Sequence, residues 1–316
     1  MISYIIRRLL YTIPIVFGVL LITFLLFNII GGDVTDQIAG KAASKETREE
    51  IRSEYGWDKP LFLSTDSQFI DHLKSAVTFD FGRSWSDREP VIDKIKRGAI
   101  PSLFLTVPIF IGTLIISVSL ALFVAFFRGT IIDIIAVLIC VAGMSVPFLS
   151  FILFGQYFLA FKWKIFPVFF WPDLSMPQYL ALPVLIGIVA GLGANLRFYR
   201  TVMLDEMGND YVRTAFAKGL TTQRVLFKHV LKNAMIPIIT QVVLAIPFLF
   251  LGSLLLERFF GIPGLGYLMI EAIGARDYQV ISAMTYIGAM LFVIFNVITD
   301  ICYSLVDPRI SLGRTQ

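Results

Sequence analysis

The 316-residue chain is 57% apolar and only 16% charged, with a mean hydropathy of +0.78. A water-soluble core cannot hide that much apolar surface, so lipid is the natural solvent for much of it. A net charge of +4 does not require nucleic acid, because basic residues gathered on one side of a membrane account for it. Cys140 and Cys302 sit in apolar runs without a Cys-x-x-Cys spacing, and His72 and His229 lie far apart. The pattern argues against a disulfide framework and against a Cys- or His-based metal site.

A helix needs roughly 20 apolar residues to cross the hydrocarbon core. Six runs meet that length: 9–30, 102–127, 132–160, 179–196, 234–256 and 280–306. The first follows Arg7 and Arg8, as a signal peptide would. Its 22 residues exceed a signal's apolar region and no small-x-small site follows, so it reads as a retained helix. With the N-terminus in the cytoplasm, twelve Lys and Arg near span ends fall inside and four outside (Lys162, Lys164, Arg258, Arg276). Both termini are then cytoplasmic in an all-α membrane protein.

Within the long outer loop 31–101, Ser44 can cap a helix running to about Tyr55, with Gly56 as its stop. A second helix is expected over 67–77. The loop is either a structured cap without chemistry or a contact for an extracytoplasmic partner. Pro108, Pro147, Pro183, Pro237 and Pro247 interrupt the apolar runs, and Gly187 and Gly191 offer a face for close helix approach. Ser145 and Gln156, with Glu257 and Arg258 at the start of the last outer connection, are candidates for a pathway or gate. Single polar groups such as Ser145 and Gln156 more often bond across helices, and Glu257 and Arg258 either pair with each other or line the gate. Asn296 and Asp300, one helical turn apart in the sixth run, suggest either an intramembrane cation site or a snorkelling acid.

The segment between the fourth and fifth runs reads Asp210-Tyr-Val-Arg-Thr-Ala-Phe-Ala-Lys-Gly219. Asp210 suits an N-cap, and Val212, Ala215, Phe216 and Gly219 fall at helical spacing, which predicts a short helix with one apolar ridge. Gly219 suits a left-handed C-cap, and Thr222 can cap a second helix over 223–233. That helix carries Arg224, Lys228 and Lys232 at four-residue steps. Such a protruding helix–turn–helix can dock on a protein or lie on anionic lipid.

These residues resemble the EAA loop of ATP-binding-cassette importer permeases of the dipeptide, oligopeptide and nickel type. Asp210, Tyr211, Arg213, Thr214, Ala215, Ala217, Lys218, Gly219, Arg224, His229, Asn233, Ala234 and Pro237 match that loop. Phe216 departs from it, since the family usually has Arg there. Other stretches are similar to the same family in the same order. They are Arg7-Arg8-Leu9, Tyr55-Gly-Trp-Asp-Lys-Pro60, Asp80-Phe-Gly-Arg-Ser84, Glu257-Arg-Phe-Phe-Gly-Ile-Pro-Gly-Leu-Gly266, Arg276-Asp-Tyr278 and Asp307-Pro-Arg309.

The resemblance implies one permease domain over 1–316: a first span to residue 30, the outer loop 31–101 and a five-span core 102–316 that includes the EAA-type loop 204–237. It implies that Asp210, Tyr211, Arg213, Ala215, Phe216, Lys218, Gly219 and Arg224 dock on a cytoplasmic ATPase. It further implies a second homologous permease, two ATPase subunits carrying ATP and Mg, an extracytoplasmic solute-binding protein, and no cofactor or catalysis on this chain. The expected cargo is a peptide, with nickel chelates or another small solute as the alternative. Gly261-Ile-Pro-Gly-Leu-Gly266 is not a phosphate loop, because no Lys-Ser/Thr follows it. An ion-coupled secondary transporter would need a site near the midplane, and no second deep carboxylate or histidine chain is evident.

Overall fold

The computed structural model describes residues 2–30, 35, 39, 44–54, 56–62, 64, 66–171 and 176–306. The side chains of 2–9, 29–30, 54, 176 and 300–306 fall outside that description, as do Arg7, Arg8, Asp300, and residues 55 and 307–316 from the motifs above. The described residues form helices, with one isolated bridge between Arg83 and Pro90.

The first span, α1 (Ile2–Phe24), ends in a wider π-type turn, Leu25–Ile30. Two short helices follow, α2 (Lys45–Glu54) and α3 (Gln68–Thr78). Ser44 Oγ accepts from Thr47 N at 3.2 Å, and Ser67 Oγ accepts from Ile70 N at 3.4 Å. The Ser44 cap therefore falls where the sequence places it, and α3 lies one residue along from its expected span 67–77.

The second span, α4 (Val91–Phe126), starts about three turns before the apolar run, because Asp93, Lys94, Lys96 and Arg97 continue the helix into water. The third run does not form one rod. α5 (Ile131–Ser145) and α6 (Phe148–Gly155, prolonged by a π-type stretch Gln156–Lys162) meet at 90°. Pro147 cannot donate to the preceding turn, and Val146 ahead of it is extended at φ −85°, ψ 124°. The expected single span 132–160 is thus a bent pair. Counting it, the described residues offer six membrane crossings; without it, five.

α7 (Met176–Met207) is the longest partner of α4 and shares with it the most extensive helix interface. Gly187 permits that approach: a Cβ there would lie 2.6 Å from Ile109 Cδ1. α8 (Asp210–Ala217) is followed by α9 (Thr222–Val225), a π-type turn (Leu226–Val230) and α10 (Leu231–Leu251), one continuous rise into the fifth span. α11 (Leu254–Phe260) and α12 (Leu265–Ala275) fill the connection between the fifth and sixth spans, and α13 (Tyr278–Val306) closes the bundle against α10 and α1. α12 is an element that the sequence reading did not anticipate.

At the end bearing α2 and α3, aromatic rings fasten the loop to the first span. Phe24 is fully buried and packs edge-on to Phe62 and Phe69, both at 5.2 Å between centroids. His72 Nε2 lies 3.3 Å from Thr23 Oγ1, and Asp71 on the far side of α3 is paired with Lys59 at 2.7 Å. Burial pushes the His72 imidazole below its ordinary value of 6.5. A base with a lowered folded pKa favours the fold when neutral. Its contribution is therefore complete above 6.5 and is lost as pH falls through the folded value. Hydrogen exchange of α3 should accelerate on acidification in that window, and His72→Gln should remove the pH dependence; an unchanged profile in the variant would show that another group is responsible.

Candidate functional site: the α8 turn and its supports

Eight residues of helix are too few to persist alone in water. α8 is held by its inward face: Val212 is 1% exposed and Ala215 5%. They join a buried cluster with Tyr199 and Met203 of α7, Val225, and Leu226 and Val230 of the π-type turn. The short helix is thus locked at once to the base of the fourth span and to the rise into the fifth.

This packing divides the expected ridge. Val212 and Ala215 face the chain's own core, whereas Tyr211 and Phe216 point outward at 37% and 41% exposure. Ala215 is therefore a foundation residue here and not part of the exposed surface. The expected cap also moves by one position: Asn209 is the N-cap residue, Asp210 opens the first turn, and Thr221 precedes α9 where Thr222 was expected.

The C-terminus of α8 forms as the sequence predicts. Gly219 has φ +78°, with Gly219 N donating to Phe216 O at 2.9 Å and Leu220 N to Ala215 O at 3.3 Å. Those two bonds make a Schellman cap and satisfy carbonyls that the helix leaves open. No atom lies within 4 Å of a Cβ built on Gly219. Its requirement is the left-handed backbone, so the space over it is free for another molecule.

The outward surface is polar at its borders. Tyr211 donates its hydroxyl to the Glu206 carboxylate, and Asn209 Nδ2 donates to the same oxygen at 3.0 Å. Burial and that carboxylate together raise the Tyr211 phenol pKa, keeping it a donor. Arg213 stands 3.6 Å from Asp210, both largely exposed, a pair worth little to stability. Lys218 and Arg224 are exposed as well. Beneath them, Arg200 Nε of α7 meets Asp133 Oδ1 of α5 at 2.7 Å, tying the third element to the same support.

The four candidates for a pathway or gate do different work. Ser145 Oγ donates back to Val141 O at 2.8 Å, beside the Pro147 break. Gln156 Nε2 donates to Val168 O at 2.9 Å and Phe259 O at 3.1 Å, joining α6 to the outer connections. Glu257, proposed to line a gate, is fully buried instead. Its Oε1 accepts from Ser102 Oγ at 2.8 Å and Ser253 N at 3.0 Å, and its Oε2 accepts from Tyr267 N at 3.0 Å. Ser102 Oγ in turn accepts from Leu265 N at 2.7 Å. This clasp binds α4, α11 and α12. Arg258 does not pair with Glu257; it lies exposed over the Tyr267 ring, 5.2 Å from the centroid. The signal for the clasp was an acid flanked by glycine-rich turns, readable as a backbone anchor only once the turns are folded.

Residues 117–312 match the family model described as the binding-protein-dependent transport system inner membrane component, and residues 1–106 match the N-terminal model of the same system. The chain belongs to this family. It is 34% identical over 314 residues to the glutathione transport system permease protein GsiC of Escherichia coli (strain K12) and to that of Shigella dysenteriae serotype 1, covering 98% of this chain and 99% of each relative. The same-named protein of Shigella boydii serotype 4 is 33% identical over 315 residues. The protein is thus a permease component of a binding-protein-dependent ATP-binding-cassette importer, a multi-pass protein of the inner membrane.

Removing the Glu257 carboxylate from the permease would strand three buried donors at about 1–3 kcal/mol each. Glu257→Ala should lower the melting temperature in detergent strongly and Glu257→Gln by less, since the amide keeps one acceptor. Equal melting of Glu257→Ala and the parent would refute the clasp.

Proposed function

We propose that this permease passes peptides, or small peptide-like solutes, inward, and that the outward face of α8 seats on a cytoplasmic ATPase. The observation that carries the reading is the split of α8: one face is locked to two spans, and the other presents Tyr211, Phe216 and the open Gly219 turn. A load applied to the second face reaches the spans through the first. The excess of Lys and Arg at this end supports a cytoplasmic position for α8 and for both termini.

The partners proposed are a second homologous permease, two ATPase subunits that bind ATP and Mg, and an extracytoplasmic solute-binding protein. ATP-driven closure of the ATPases would draw the two permeases' α8 turns together and tip the spans outward-open. The binding protein would release cargo at that stage, and hydrolysis would restore the inward-facing state. Each state is favoured by differential affinity, so no covalent chemistry on the cargo is required. Peptide cargo is supported by the relatives, whose named solute, glutathione, is itself a tripeptide.

In proteoliposomes with the partner subunits, a Tyr211→Ala/Phe216→Asp double variant should insert normally. It should lose about thirtyfold or more in ATPase affinity, as truncating a buried interface aromatic costs about 2 kcal/mol or more. Gly219→Val, strained at φ +78°, should weaken coupling by a smaller factor. Undiminished cargo-stimulated ATP hydrolysis in the double variant would exclude this face as the docking surface.

A further inference from the structure

Beside the α8 turn, a cavity of about 410 Å³ opens between the end of α4 and the α9 rise. Its walls are Leu122, Phe123, Phe126 and Phe127 from α4 and its cap, with Leu226 and Phe227 across the gap. Phe123 and Phe227, 52% and 63% exposed, leave apolar ring surface open at the groove.

A basic rim adjoins these walls. Arg128 follows Phe127, and Arg224 and Lys228 sit next to Gln223 and Phe227, all exposed. Among the described residues none of the three forms an ion pair; Arg128 lies within the electrostatic reach of Asp133, which Arg200 holds at 2.7 Å. The charge row at 224 and 228 is therefore not consumed by the fold. Apolar walls beneath a cationic rim, at the depth where a spanning helix ends, match the anatomy of an anionic phospholipid.

We infer that an anionic phospholipid of the inner leaflet seats an acyl chain in this groove, with its phosphate on Arg128, Arg224 and Lys228. The inference rests on the cytoplasmic placement of α8 proposed above. A bound lipid would brace α4 against the segment that carries α8 into the fifth span, making coupling depend on lipid charge.

The test uses the assembled transporter in vesicles of phosphatidylcholine with or without phosphatidylglycerol, with retained lipid read by native mass spectrometry. Phosphatidylglycerol should be enriched on the wild-type complex. Arg128→Gln and Lys228→Gln should each reduce its retention about fivefold, the contribution of one basic residue at an anionic surface. Ser119→Trp, at an exposed wall position, should displace it outright. Equal retention of the two lipids, unchanged phosphatidylglycerol in Ser119→Trp, or efficient crosslinking of Phe227→Cys to the partner permease would each overturn the inference. ATPase co-purification is scored separately: its loss with lipid retained would count against the docking surface and leave the lipid site standing.

Discussion

Val212 and Ala215 bury themselves against Tyr199, Met203 and Val225, and nothing else about α8 would hold without that contact. A helix of two turns has too few hydrogen bonds to offset its nucleation cost. Burying a valine contributes about 1.5–3 kcal/mol, enough to decide whether so short a helix forms. Because the same contact reaches both α7 and the start of the fifth span, the turn cannot shift without carrying two spans with it. Arg200 on α7 and Asp133 on α5 extend the support to the third element. The turn and the bases of the two spans thus share one packed cluster.

The opposite end of the bundle is fixed by polar anchors of a different kind. Glu257 binds α4, α11 and α12 through one hydroxyl and two backbone amides. Asp277 does similar work for the outer loop: Ser84 Oγ donates to it at 2.5 Å, and its other oxygen accepts from Val280 N at 3.3 Å at the start of α13. Charged groups buried in this way persist because each oxygen is met by donors. The spans are thus tied by acids at the end bearing α11 and α12 and by an apolar cluster at the α8 end.

The spans were legible because lipid demands long apolar runs: five of the six runs reappear in continuous helices, although α7 continues to Met207, past the expected end at 196. They were misjudged where another rule governs. α4 begins at Val91 because charged residues sustain a helix in water, which hydropathy does not register. The third run breaks because Pro147 withholds a donor, yet Pro101, Pro108 and Pro183 are absorbed within helices. Composition cannot separate these cases, since neighbouring packing decides them. In α8 the period gave the helix and its glycine cap. It could not say which apolar residues face inward, because a stripe of Val212, Ala215, Phe216 and Gly219 is wider than one contact.

The most direct measurement is the sidedness and protection of one engineered thiol. In a background carrying Cys140→Ser and Cys302→Ser, Lys218→Cys places that thiol on the exposed turn beside Gly219. A membrane-impermeant maleimide should label it only from the cytoplasmic face of inverted vesicles, and bound ATPase should protect it. Labelling from the outer face, or undiminished labelling with the ATPase bound, would contradict the account.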